Sequence, residues 1–252
     1  MNQEEIQINH EICLELMDKF IEICEKHDIN YTLSYGSVLG AVRHKGFIPW
    51  DINVDMLLSV DEFYKLDKVM KSEDLGNMKW ICPVEKGRIH SLLVRDDTSK
   101  YKSSPNVDVA VYANISNNKI VRTIQFKLAY LNIKMFKLKN TKINRTFPYN
   151  ILKGIASVIP NSFYYFVLHS LENYKKQSST VYQLDTTPAY WKERQIMETK
   201  WIWSDTPNYG VFEGRKVRLP ADPDSFLKKI YGPNYMTPQV WEDKGDYKHT
   251  KK

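Results

Sequence analysis

Residues 35–55 gather the side chains of this chain best suited to chemistry: Gly36 and Ser37, then Asp51, Asn53 and Asp55. The last three alternate, and side chains two apart on a strand point to one face. Gly36-Ser37 reads as a turn opposite that strand, with backbone N–H groups able to hold an anion such as phosphate. Two carboxylates and an amide facing such a turn suit metal-assisted phosphoryl or nucleotidyl transfer. That chemistry needs charge neutralised on the phosphates and an attacking oxygen held in line. Divalent metals held by three carboxylates do both, and magnesium prefers carboxylate and water oxygens to nitrogen. A third acid is available at Asp108, on the strand face opposite Val107 and Val109. The middle position of the first strand is Asn53, which offers an oxygen without the negative charge.

The elements that must position these groups follow from apolar spacing. Residues 4–27 place Ile6, Cys13, Leu16, Met17, Phe20, Ile23 and Cys24 at helical intervals. Tyr31–Tyr35 reads as a strand, Val38–Arg43 as a short helix and Asp51–Ser59 as a second strand. Glu62–Met70 reads as a helix with Asp61 as its N-cap. Trp80–Pro83, Ile89–Asp96 and Val107–Ala113 are further predicted strands. Residues 121–138 and 162–174 are predicted helices joined by a basic, proline-containing connector, while 176–200 show no clear pattern. Val211–Leu219 reads as a hairpin around Glu213-Gly214, and Pro223–Tyr231 as a helix closed by Gly232-Pro233. The last dozen residues are charged and are expected to be extended.

A length of 252 residues allows one large domain or two small ones. With 42% hydrophobic and 13% aromatic residues, a disordered chain is excluded. Cys13, Cys24 and Cys82 are an odd, scattered set. Cys13 and Cys24 lie three turns apart on one predicted helix, too far to bridge. They read as core thiols in a reducing compartment. The start, Met-Asn-Gln-Glu-Glu, does not read as a secretory signal. The apolar stretch from Ile151 to Leu168 is too interrupted for a membrane span. A cytoplasmic location is expected. The net charge of +6 is unevenly spread: between Asp108 and Glu172 there are nine bases and no acid. The basic stretch 119–153 reads either as amphipathic helices with solvated faces or as a docking segment at the inner face of a membrane. Nucleic acid is not expected, since no recognised motif accompanies the charge.

The run Gly36, Ser37, Leu39, Gly40, Arg43, Gly46, Ile48, Pro49, Trp50, Asp51 and Asp55 resembles the LicD family of phosphocholine transferases, relatives of the fukutin-type ribitol-phosphate transferases. Asp108-Val109, Phe212-Glu213-Gly214, Leu219-Pro220, Phe226-Leu227 and Tyr231–Met236 followed by Pro238 are similar to later runs of that family. The resemblance is dense over 31–66, thinner over 89–112 and present again over 211–238. It implies an α+β fold: a nucleotidyltransferase-like mixed sheet flanked by helices, with a helical insertion and a C-terminal extension. The expected division is a core over 1–114, a basic helical insertion over 115–205 and a C-terminal segment, 206–252, packed back on the core.

The resemblance also implies roles. Asp51, Asp55 and Asp108 are the expected catalytic acids, with Asp108 also taking the acceptor proton. Asn53, Asp55 and Asp108 are the expected ligands of Mg2+ or Mn2+. Gly36, Ser37 and Arg43 are expected to hold the donor phosphate. The donor is expected to be CDP-linked, such as CDP-choline. The acceptor is expected to be a sugar hydroxyl of a glycan or glycolipid, as in lipopolysaccharide biosynthesis. The family strand carries Asp where this chain has Asn53, which leaves open a non-catalytic nucleotide- or glycan-binding relative; the Gly-Ser and acid pattern alone also leaves open a small-molecule nucleotidyltransferase. Trp50 is expected to pack beneath the site, His44 and Lys45 to be solvated, Asp96 and Asp97 to be turn acids, and His249 to lie apart.

Overall fold

Valine and methionine side chains set the sheet. Val54 and Met56 on β2 (Asn53–Ser59) and Val107 and Val109 on β5 (Asn106–Asn114) are fully buried, and polar residues alternate with them at the start of both strands. In this computed structural model the described residues are 2–82, 91–101, 104–140, 147–160, 162–164, 166–167, 180–183 and 196–238. β2 and β5 run parallel, and every other pairing described in the sheet is antiparallel. The order is β1 (Thr32–Leu33), β2, β5, β4 (Ser91–Arg95), β3 (Met78–Ile81). β4 pairs with residues 106–109 of β5. Farther along the same edge, β6 (Thr180–Gln183) pairs with residues 112–114, and β7 (Ile196–Glu198) pairs with β6. Strands thus occur within 176–200, where the sequence shows no clear pattern, and they extend the central sheet. Helices and a mixed sheet make the fold α+β, as the sequence predicts.

α1 (Gln3–Lys26) opens on a capping box in which Asn2 Oδ1 accepts from the Glu5 N–H and Glu5 Oε2 from the Asn2 N–H. It packs across β2, β5 and β4 and buries the predicted stripe of Cys13, Leu16, Met17, Phe20, Ile23 and Cys24. All three cysteines are thiols, and burial pushes that of Cys13 up to about 12. α3 (Val60–Met70) lies on β2 and β5. It begins earlier than predicted because Ser59, not Asp61, caps it: the Ser59 hydroxyl accepts from the Glu62 N–H.

α2 (Tyr35–Arg43) also begins earlier than predicted. Gly36 and Ser37 belong to its first turn rather than to a loop, and the strand before it is only Thr32–Leu33. α4 (Lys119–Lys139) and α5 (Phe147–Val158) pack on one another. A single turn, α6 (Thr199–Ile202), leads to the predicted hairpin, β8 (Asn208–Phe212) and β9 (Arg215–Leu219). Its two-residue turn has Glu213 at φ 47° and Gly214 at φ 75°, the twist that matches paired strands. α7 (Pro223–Tyr231) ends at Gly232, φ 89°, as predicted. The hairpin packs on β1 and α2, and α7 on α2. The basic connector 141–146, most of the helix predicted over 162–174, and the last dozen residues with His249 lie outside the described residues.

Candidate functional site

β2 and β5 carry the same tripeptide, Asn-Val-Asp, at 53–55 and 106–108. Parallel pairing sets the two copies side by side, Asn53 against Asn106 and Asp55 against Asp108. Partners in register share a sheet face. The valines take the buried side, so two amides and two carboxylates share the other.

α2 fixes Asp55 from the opposite direction. The Ser34 N–H donates to the Asp55 carbonyl at 2.9 Å, and the Asp55 N–H donates to the Ser37 hydroxyl at 2.8 Å. The Gly36 backbone N–H hydrogen-bonds the Asp55 carboxylate, which thereby sits at a helix N-terminus. Glycine at residue 36 leaves room for these acids: a Cβ there would lie 2.5 Å from Asp51 Oδ2 and 3.6 Å from Asp55 Oδ2, and would displace the Asp51 carboxylate. Gly36, Asp51, Asn53, Asp55 and Asp108 therefore meet. Ser37 lies beneath them, 2% exposed, as a strut between α2 and β2.

The crowding has an electrostatic signature. Burial, then the charges of Asp108 and Asp51, push the Asp55 carboxyl up to about 8, against hydrogen bonds from Asn53 and Gly36. Asn53 Nδ2 donates to Asp55 Oδ1 at 2.8 Å. In place of a further charge, Asn53 gives this cluster a donor. Asp51 is also raised by burial, opposed by its hydrogen bond from the Ile52 N–H and by His10.

The loop from α2 to β2 is tied at two points. His10 Nε2 donates to the Asp51 carbonyl at 2.8 Å, and its ring stacks on Phe47 at 3.9 Å. Glu213, in the hairpin turn, donates its N–H to the Lys45 carbonyl at 2.8 Å and accepts the Phe47 N–H at 3.1 Å. Gly46 leaves the space that the Glu213 carboxylate fills. Phe47 and Phe212 meet edge to face at 4.8 Å.

Not every expected residue joins the cluster. Arg43 donates to His44 Nε2 at 2.8 Å and to the Tyr235 carbonyl at 3.0 Å, holding the chain beyond α7. Trp50 does not pack beneath the site: it is 51% exposed, because His10 and Phe47 support the loop from inside. Asp96 pairs with Lys79, and Asp97 takes two hydrogen bonds from Arg95. His44 and Lys45 lie outside the cluster, at the end of α2 and just beyond it.

Two residues not anticipated do join it. Asn106 follows from the repeated tripeptide, a signal present in the sequence. Among the described residues its Oδ1 is buried without a hydrogen-bond partner, while its Nδ2 donates to the Ser104 carbonyl. Tyr231, the last residue of α7, lies in the field of Asp55 and Asp51. Burial and those two charges raise its phenol, although 41% of the residue stays exposed. No local pattern marks it, since only the packing of α7 on α2 brings it there.

Every donor on the Asn53–Asp108 face is an oxygen, apart from the two amide nitrogens. Carboxylate and carbonyl oxygens are the set a hard divalent cation takes. Such an ion would give the orphaned Asn106 oxygen a partner and would relieve the crowding that raises Asp55. Among the described residues, no three of His, Cys, Asp and Glu already converge as a metal cluster.

Comparison with known proteins accords with this geometry. A family model for the LicD/FKTN/FKRP nucleotidyltransferase domain matches residues 28–153, from the loop before β1 into α5. The lipopolysaccharide cholinephosphotransferase LicD of Haemophilus influenzae is 24% identical over 247 residues, covering 92% of this chain and 91% of that one. The uncharacterized protein RP689 of Rickettsia prowazekii is 36% identical over 63 residues, 25% of this chain and 24% of that one. The matched span holds both Asn-Val-Asp strands and the helix that braces them, and the chain belongs to the LicD family.

Proposed function

We propose that this protein transfers a phospho-substituent, such as phosphocholine from CDP-choline, to a sugar hydroxyl of a cell-surface glycan or its lipid-linked precursor, with release of CMP. The observation that carries this reading is the pairing of Asp55 with Asp108 at the N-terminus of α2, within reach of Asp51's charge. Similarity to a lipopolysaccharide cholinephosphotransferase along nearly the whole of both chains supports the substrate class.

Mg2+ or Mn2+, held by Asp55 and Asp108 with carbonyl oxygens of Asn53 and Asn106, would neutralise charge on the donor phosphates. The chain's own groups do the rest. The first turn of α2 offers backbone N–H groups to an anion. Asp108, or Asp51 beside Gly36, accepts the proton of the acceptor hydroxyl as it attacks phosphorus. Asn53 holds Asp55 in one orientation through its amide. Arg43 acts by fixing the segment after α7, and Tyr231 stands in the field of Asp55 and Asp51 on that side.

The test is CMP release from a panel of CDP-alcohols with Mn2+ and a glycan acceptor. Turnover with CDP-choline that falls about a hundredfold or more in Asp55→Asn and in Asp108→Asn is the expected result. No turnover across the panel, with nucleotide still bound, would instead support the non-catalytic relative that Asn53 suggests.

A further inference from the structure

α4 and α5 turn large apolar side chains outward. On α4, Ile120 (72% exposed), Ile124, Leu128 and Leu131 follow one another at spacings of four, four and three. That spacing makes a single stripe along the helix. A neighbouring side of α4 is the one that packs: Phe136 meets Tyr164 edge to face at 5.5 Å, and Asn132 Nδ2 donates to the Tyr164 carbonyl at 2.9 Å. On α5, Ile151, Ile155 and Val158 (81% exposed) make a second outward stripe, while Ala156 is buried. Contiguous exposed apolar surface marks interaction sites.

Charge identifies the occupant. Lys119, Lys127, Lys134 and Lys137 are exposed on α4, and the sequence from 109 to 171 holds no acid. Apolar side chains on two helices whose charged residues are all basic complement an anionic lipid surface, into which the stripe enters while the lysines meet headgroups. A second copy of this face would set like charges against each other. Spanning is excluded for α4 itself, which carries six bases, and no described helix is long and apolar enough to cross a membrane.

We propose that α4 and α5 dock the protein on the surface of an anionic phospholipid bilayer, lying in the interface with Ile124, Leu128 and Leu131 inserted. The proposal stands independently of the transfer reaction. It is tested with the full chain by co-sedimentation with vesicles of phosphatidylcholine alone and with added phosphatidylglycerol. Binding is expected on the anionic vesicles, weakened by salt, and reduced about tenfold or more in Ile124→Glu/Leu131→Glu. A Cys82→Ser/Leu128→Cys chain, with an environment-sensitive dye on the introduced thiol, is expected to shift to the blue with those vesicles, which keeps the test valid if the double variant misfolds. Absence of both binding and dye shift would overturn the proposal, as would binding that survives the folded double variant. Light scattering that finds a dimer broken by the same variant, without vesicle binding, would overturn it too and assign the face to self-association.

Discussion

The Asp55 carboxyl keeps its proton up to about 8, against an ordinary value of 3.8. Between those values the folded chain binds more protons than the unfolded one, so this group's contribution makes stability fall as pH rises through the window. In cation-free protein, melts followed from acid to mildly alkaline pH should therefore decline, and Asp55→Asn should flatten the decline. An equal slope in both proteins would place its cause elsewhere. Asn53→Asp removes the 2.8 Å donor to Asp55 and adds a negative charge. The variant should melt lower than the parent without cation at about pH 8, and gain more from Mn2+, in a thermal titration. Asn106 shows how far single residues are legible: the strand alternation and the repeated tripeptide both announce it. Tyr231 is illegible because only tertiary packing puts its phenol near Asp55.

At the scale of elements, the join between the α2–β2 loop and the hairpin decides the geometry. Gly46 faces Glu213, whose carboxylate accepts the Phe47 N–H. Gly46→Ala drives a methyl group into that carboxylate and should cost about 1–3 kcal/mol in urea unfolding. Glu213→Ala in the same chain should recover part of the loss, since the clash goes although the hydrogen bond goes too. Helix starts are the least legible part of the elements. Gly36-Ser37 reads as a turn because glycine and serine favour turns. The helix starts earlier because Ser34 and Ser37 bond the Asp55 backbone, a partner no local window contains. It does so with Tyr35 at φ 35°, which propensity alone would not choose. Trp50 misleads for a related reason: His10, far away in the chain, supports the loop in its stead.

Across the whole molecule, the two ends of the described chain share one core. Phe212, Val217, Phe226 and Leu227 are fully buried in the same cluster as α1 and the sheet. Arg215 clasps Asp18 through two hydrogen bonds of 2.6 and 2.8 Å, and Arg218 reaches Glu25 while lying 4.9 Å from the Tyr31 ring. Truncating one buried Phe to Ala costs about 3–5 kcal/mol, and a domain has only about 5–15 kcal/mol in all. A chain ended at residue 205 should therefore show no cooperative unfolding and should be cut rapidly by protease. The order of synthesis then acquires a meaning. A ribosome delivers the acids of β2 and β5 well before the Glu213 turn. Until that turn has cleared the exit tunnel, the loop over Asp51 has neither of its Glu213 hydrogen bonds. The nascent protein thus carries its acids long before it can fix them, and chains released short of the hairpin hold the whole Asn-Val-Asp pair without a set site.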